Sequence, residues 1–348
     1  MVMRRENGPA IVKMNSMNKR RAAALLLAAC AALAQACRTA PRSDGTYAVD
    51  GRLPLSSLYA RFLSLTDGGP WRLDTVYSYP GDASLKIVAL RTPKAGPALW
   101  ILAGIHGEEP AGPNAAARSL DRFRALADSG VPVVLLPLCN PKAYRGNWRY
   151  PNTPDRDWRK GGGYSVGDAE HLLPDLKTGD GPRAPASPGP ENEALTAYAL
   201  ELSRTYPPEL VLDFHEDELS TEGGYVYSQG AVPEGNPVAS EVIGALRESR
   251  IPIRLSGKTR FGETINGGVI SRGDDGLPLR DGSIDELLAA TTVFADGKKR
   301  AGPSARTVIV VETPAYSGSR LERRVAAQAA VLSKLDLLWR LNPAAAPR

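Results

Sequence analysis

Four short runs, at residues 99–105, 131–138, 210–214 and 307–311, are apolar at nearly every position and show no alternation. A strand with one face in water alternates; a strand apolar throughout is covered on both faces. Between these runs the apolar spacing turns helical. Ala116, Leu120 and Phe123 precede a stop at Gly130, and Leu195, Tyr198, Ala199 and Leu202 line residues 191–204. A third helix is predicted at 238–248, and Leu321, Val325, Ala329, Leu332, Leu335 and Trp339 form one stripe over 321–341. Such interleaving predicts an α/β fold with a mostly parallel or mixed central sheet flanked by helices. Two more strands are expected at 73–79 and 85–90, after a short helix bearing Leu58, Phe62 and Leu63. Residues 140–188 and 256–304 show no sustained period, apart from a short helix at 284–290. Irregular stretches of that length in a compact domain are usually functional.

The formal charge of +5 would suit a nucleic-acid partner, but residues 1–37 hold six basic residues and one acid. The remainder is balanced, which excludes an electrostatic footprint for DNA or RNA. Lys19, Arg20 and Arg21 precede the Ala/Leu run 22–34, too short to span a bilayer and suited to an export signal. Residues 27–30 form a lipoprotein-type box ending at Cys30; Ala34-Gln35-Ala36-Cys37 offers a second site. The expected organisation is a signal peptide over 1–37, a polar tether over 38–54 and one domain over 55–345. Export to the periplasm or envelope follows, with membrane contact only through a lipid on Cys30 or Cys37. Cys139 is then the one cysteine of the body, so no internal disulfide is expected there.

Ligands of open α/β sheets collect at the carboxyl ends of the strands. Three of the runs end in reactive residues: His106-Gly107-Glu108-Glu109, His215-Glu216-Asp217 and Glu312-Thr313-Pro314. Two imidazoles and a carboxylate with one open position form a catalytic zinc set, whereas Ca²⁺ and Mg²⁺ prefer oxygen shells.

In order along residues 55–341, four motifs resemble the M14 zinc carboxypeptidases and the related aspartoacylase/succinylglutamate desuccinylase group. They are the H-x-x-E at His106–Glu109, the turn Asn140-Pro141, the strand end Asp213-Phe214-His215, and Val311-Glu312-Thr313-Pro314. The resemblance implies one Zn²⁺ held by His106, Glu109 and His215, with Glu312 as general base and then general acid. Zinc brings its water to a pKa near 7, within reach of a carboxylate base. Asp213 would orient a ligating imidazole from behind.

The family's oxyanion arginine has two candidates. Arg149 matches the aspartoacylase spacing; Arg159, in Trp158-Arg159-Lys160, matches the carboxypeptidase pattern and continues better into residues 165–174. That second alignment favours Arg159 and puts Glu170-His171 where the family carries the Asn-Arg pair that grips a C-terminal carboxylate. A carboxylate there would repel such a substrate, so a neutral or cationic group is expected. Tyr227, with Tyr225, falls where the family places a substrate-contacting tyrosine. The expected activity is hydrolysis of an amide bond in a small peptide. Two alternatives are a deacylase of N-acyl amino acids and an M14-like binding lipoprotein without turnover. The intact His106, Glu109, His215 and Glu312 set argues against the last. No G-x-S-x-G follows a strand, which argues against a serine hydrolase.

Overall fold

The computed structural model describes residues 50–149, 168–217, 220, 222–315 and 319–342. In chain order the elements are α1 (Leu55–Leu63), β1 (Arg72–Ser78), β2 (Lys86–Arg91), β3 (Ala98–Ala103), α2 (Ala111–Arg118), α3 (Leu120–Asp128), β4 (Val133–Leu136) and α4 (Pro141–Gly146). They continue with α5 (Pro190–Ser203), β5 (Pro208–Asp217), β6 (Tyr225–Gly230), α6 (Pro237–Glu248), β7 (Ser256–Lys258), β8 (Thr264–Asn266) and β9 (Val269–Ile270). The last are α7 (Ile284–Ala289), β10 (Thr292–Ala295), β11 (Lys298–Ala301), β12 (Thr307–Pro314), α8 (Leu321–Leu332) and α9 (Leu335–Leu341).

Ten strands form one mixed sheet in the order β1-β2-β4-β3-β5-β12-β6-β9-β8-β7. Its centre is parallel: β3 pairs with β4 and β5, and β5 with β12. Every residue of β3 and β4 is buried, as their unbroken apolar sequences require. Trp100, Ile101, Leu135, Leu212 and Ile309 belong to one core that also takes in Val325 and Val331 of α8. No helix among the described residues is long and apolar enough to cross a membrane.

Local chemistry accounts for several element ends. Asn140 caps α4 by accepting from Ala143 N, with Pro141 at the first helical position. Ser283 caps α7 by accepting from Glu286 N. The helix expected through Ala116 and Phe123 breaks at Ser119, whose hydroxyl donates to Ala115 O while its backbone turns to φ −108°. The stripe over 321–341 is also two helices. Lys334 leaves helical geometry with its ammonium on Glu241 and Glu248 of α6.

Two stretches differ more from expectation. Residues 256–304 are not irregular: they hold β7, β8, β9, α7 and the separate hairpin β10–β11, which turns on Asp296-Gly297 with both φ positive. The end of the expected tether is fixed to the body. Arg52 is buried, and its guanidinium donates to Gly107 O, Tyr144 O and Asn147 Oδ1 while pairing with Asp50. The expected signal segment, Cys30 and Cys37 lie outside the described residues.

Candidate active site

The loop after β3 is forced close to its neighbours by two glycines. Gly104 has φ +66°, and a Cβ on Gly107 would stand 2.0 Å from Ala143 C, so the loop lies directly on α4. Asn140 holds it there, donating through Nδ2 to Ile105 O at 3.1 Å. His106 and Glu109 thereby face His215 at the end of β5.

The donor atoms converge. His106 Nδ1 is 2.8 Å from Glu109 Oε1, His215 Nδ1 is 2.9 Å from Glu109 Oε2, and the two Nδ1 atoms are 3.1 Å apart. Donors on a tetrahedral zinc at about 2.0–2.1 Å stand roughly 3.3 Å from one another, so the set accepts the ion after shifts of a few tenths of an ångström. Two imidazole nitrogens and a carboxylate aimed at one point form a donor set that a cation completes. Among the described residues this is the one such His/Cys/Asp/Glu group.

Two of the three residues are braced from behind. His215 Nε2 lies 3.3 Å from Oδ2 of the fully buried Asp213. Glu216 N donates to Glu109 Oε2 at 3.2 Å. The Glu216 carboxylate accepts from Ala111 N and pairs with Arg324 of α8, joining β5 to two helices. Gln328 Nε2 donates to both His215 O and Thr313 Oγ1 at 2.9 Å, tying β5 to β12 beside the site.

Electrostatics divides the two imidazoles. Burial, helped by the Arg149 guanidinium, lowers His106 to about 3, so it is a neutral donor. Burial also acts to lower His215, but Asp213 and Glu109 outweigh it and raise its pKa. Burial acts to raise Glu109, and the two imidazoles with Arg149 hold it well below the usual range.

Glu312 stands across the β5–β12 ladder from His215 and across β6 from Tyr225. Its buried Oε2 has no hydrogen-bond partner among the described residues, and burial pushes its pKa well up. It lines a cavity of about 800 Å³ together with His106, Glu109 and His215. Arg149 lines the same cavity, with Nη1 2.7 Å from Glu109 Oε1 and 3.3 Å from Glu108 Oε1. The aspartoacylase-spaced arginine is therefore at the site; Arg159 lies outside the described residues. Tyr227 also lines the cavity, donating to Glu263 Oε2 at 3.2 Å, and packs edge-on against Tyr225.

Glu170 and His171 do not line the cavity, which corrects their expected place against substrate. Residues 169–173 form a turn in which Leu172 N and Leu173 N both bond Ala169 O. That turn puts Glu170 against Gly282 and His171 Nε2 3.4 Å from Thr196 Oγ1 of α5. Asp168, just before the turn, faces the cavity instead; burial lifts its carboxyl to about 7. Asp285 at the start of α7 is a further unforeseen wall residue, accepting from Gln229 Nε2 at 2.5 Å. Its nearest sequence signal was the Ser283-x-x-Glu286 capping pattern, which places the helix and says nothing of the cavity.

No protein-family model matches the chain, and no curated protein matches it. Solved structures do. A candidate metallopeptidase from Shewanella amazonensis SB2B has a TM-score of 0.61 at 23% identity, over 82% of this chain and 92% of that one. Another, from Shewanella baltica OS155, has a TM-score of 0.60 at 23% identity, over 81% and 90%. The carboxypeptidase A from Helicoverpa armigera has a TM-score of 0.53 at 13% identity, over 85% of this chain and 76% of that one. The large sheet flanked by helices is thus the fold this chain shares with these solved structures.

Proposed function

We propose that the protein is a zinc-dependent hydrolase of an amide bond in a small peptide, with Glu312 as general base. One observation carries this reading: the donor groups of three residues approach one another pairwise within 3.1 Å, beside a carboxylate whose Oε2 makes no hydrogen bond among the described residues. His106, Glu109 and His215 would hold the zinc, which when bound polarises a carbonyl and acidifies water. Glu312 takes the proton of the attacking water and passes it to the leaving nitrogen. Its raised pKa suits the second half of that cycle, and a cation at the donor set favours the carboxylate needed for the first. Arg149 swings from Glu109 towards the oxygen that gains charge, where a guanidinium is worth far more than in water. Asp213 and Gln328 keep the His215 ring and its strand in place throughout.

The presence of Arg149 at the site, matching the aspartoacylase spacing, favours one second reading, a deacylase of N-acyl amino acids. The further proposal that the chain is exported and held by a lipid on Cys30 or Cys37 rests on the N-terminal sequence alone. Mass spectrometry of the native N-terminus tests it, and an intact Met1 would overturn it.

The hydrolase reading is tested by metal analysis of protein purified without added metal, then by turnover on matched peptide and N-acyl-amino-acid panels. One zinc per chain and chelator-sensitive cleavage are expected. A metal-free protein that turns over, or a zinc protein inert on both panels, overturns it.

A further inference from the structure

Beside the metal-site cavity lies a second hollow of about 700 Å³, and the two share a wall of Leu176, Gln229, Pro278, Leu279 and Arg280. Their charges are opposite. Ten carboxylates and three arginines among the described residues line the first. Five cations and two carboxylates line the second.

The two carboxylates of the second hollow offset only part of its positive charge. Glu286 is taken by the Arg183 guanidinium and by Gly282 N. Asp175, the acid near Lys177, accepts from Lys177 N, Thr178 N and Thr178 Oγ1 on a single oxygen. Lys177, Arg280 and Lys299 make no ion pair or side-chain hydrogen bond among the described residues. They come from three separate parts of the chain, the turn after residue 173, the segment before α7, and β11, yet line one concavity. Arg280 stands on the shared wall.

We propose that the second hollow is an anion-binding subsite, which takes a carboxylate-bearing part of the substrate remote from the bond cleaved at the metal centre. A chain leaving the metal-site cavity over Arg280 enters a region where negative charge is favoured by several unneutralised cations. The substrate class is then an acidic peptide long enough to reach from the metal centre past Arg280 into the second hollow. That this group belongs to a substrate rests on the hydrolase reading; the binding itself does not.

The test is calorimetric titration of the full chain with tri-L-glutamate and with tri-L-glutamine at low ionic strength. The comparison variant is the double substitution Lys177→Gln/Lys299→Gln. Both side chains are exposed, so the fold is spared. Triglutamate should bind the unmodified protein at least about tenfold more tightly, weakening as salt rises, and most of that gap should vanish in the variant. The gap should also persist after the metal is stripped by chelation. No gap in the unmodified protein overturns the proposal. So does a gap that the variant retains, or one that disappears with the metal, since the carboxylates would then be bound at the His106–Glu109–His215 centre. Absence of zinc and of turnover would sink the hydrolase reading while leaving this binding difference intact, so the two failures are separable.

Discussion

The two sides of the metal-site cavity are built differently. On one side, His215, Glu312 and the residues behind them sit on the long central strands β5 and β12, cross-tied by Gln328 and by the Glu216–Arg324 pair. On the other, β7, β8 and β9 have only two or three residues each, and Phe261, Leu277 and Leu176 sit on turns and bends. These three are large apolar side chains at 59%, 45% and 50% exposure. On the strand side the apolar groups are buried and His215, Glu216 and the Gln328 amide nitrogen have partners before any substrate arrives, while Glu312 Oε2 is left open. The loop side leaves apolar area uncovered, which a ligand can cover. Fixed geometry and contact area are thus supplied by opposite walls, and substitutions on the two should differ in kind.

The largest effect is expected on the strand side. His215→Ala should abolish both zinc binding and activity, as read by metal analysis and turnover; retention of the metal would break the comparison at its root. Glu312→Gln keeps shape and removes the proton acceptor, so zinc should stay while kcat falls by ~10² or more. Arg149→Gln should lower kcat by roughly 10² with little change in thermal midpoint, since it removes charge stabilisation and not packing. Gln328→Leu touches neither substrate nor metal, yet should weaken zinc affinity by about 10–100-fold in a competition titration with a chelator. An unchanged affinity would mean that the ladder alone holds His215. On the loop side, Phe261→Ala should raise KM severalfold and leave kcat and zinc content unaltered. A matching loss of kcat would show that the wall takes part in the chemistry.

The same division decided what the sequence disclosed. β3, β5 and β12 are unbroken apolar runs that end in reactive residues, so strand, strand end and ligand could be read together. Glu312 opposite His215 followed from their equivalent places at strand ends. The loop side offered too few positions for a period: β7, β8 and β9 have two or three residues each. The Asp296-Gly297 pair is a hairpin signal, but its flanking strands have four residues each and β11 begins Lys298-Lys299-Arg300, so no apolar alternation spans the pair. Glu170-His171 was misplaced for a related reason. Motif spacing counts residues, but in a turn successive side chains leave in different directions, and Asp168 rather than its neighbours faces the cavity. Arg149 could be located at the site only by its ion pair with Glu109, since spacing permitted either arginine.

Arg52 gives the N-terminal segment a mechanical meaning. Its guanidinium bonds the carbonyl of Gly107, between His106 and Glu109, and it lies 4.9 Å above the Tyr144 ring. The chain therefore joins the body at the metal loop and not at a distant corner. A shortened protein starting at Leu55, where α1 begins, would keep every helix and strand yet leave Gly107 O and Tyr144 O without their buried donor. The boundary for a soluble fragment is set by this clamp, before Asp50, and any pull on a tether attached upstream would be delivered first to the loop that carries His106.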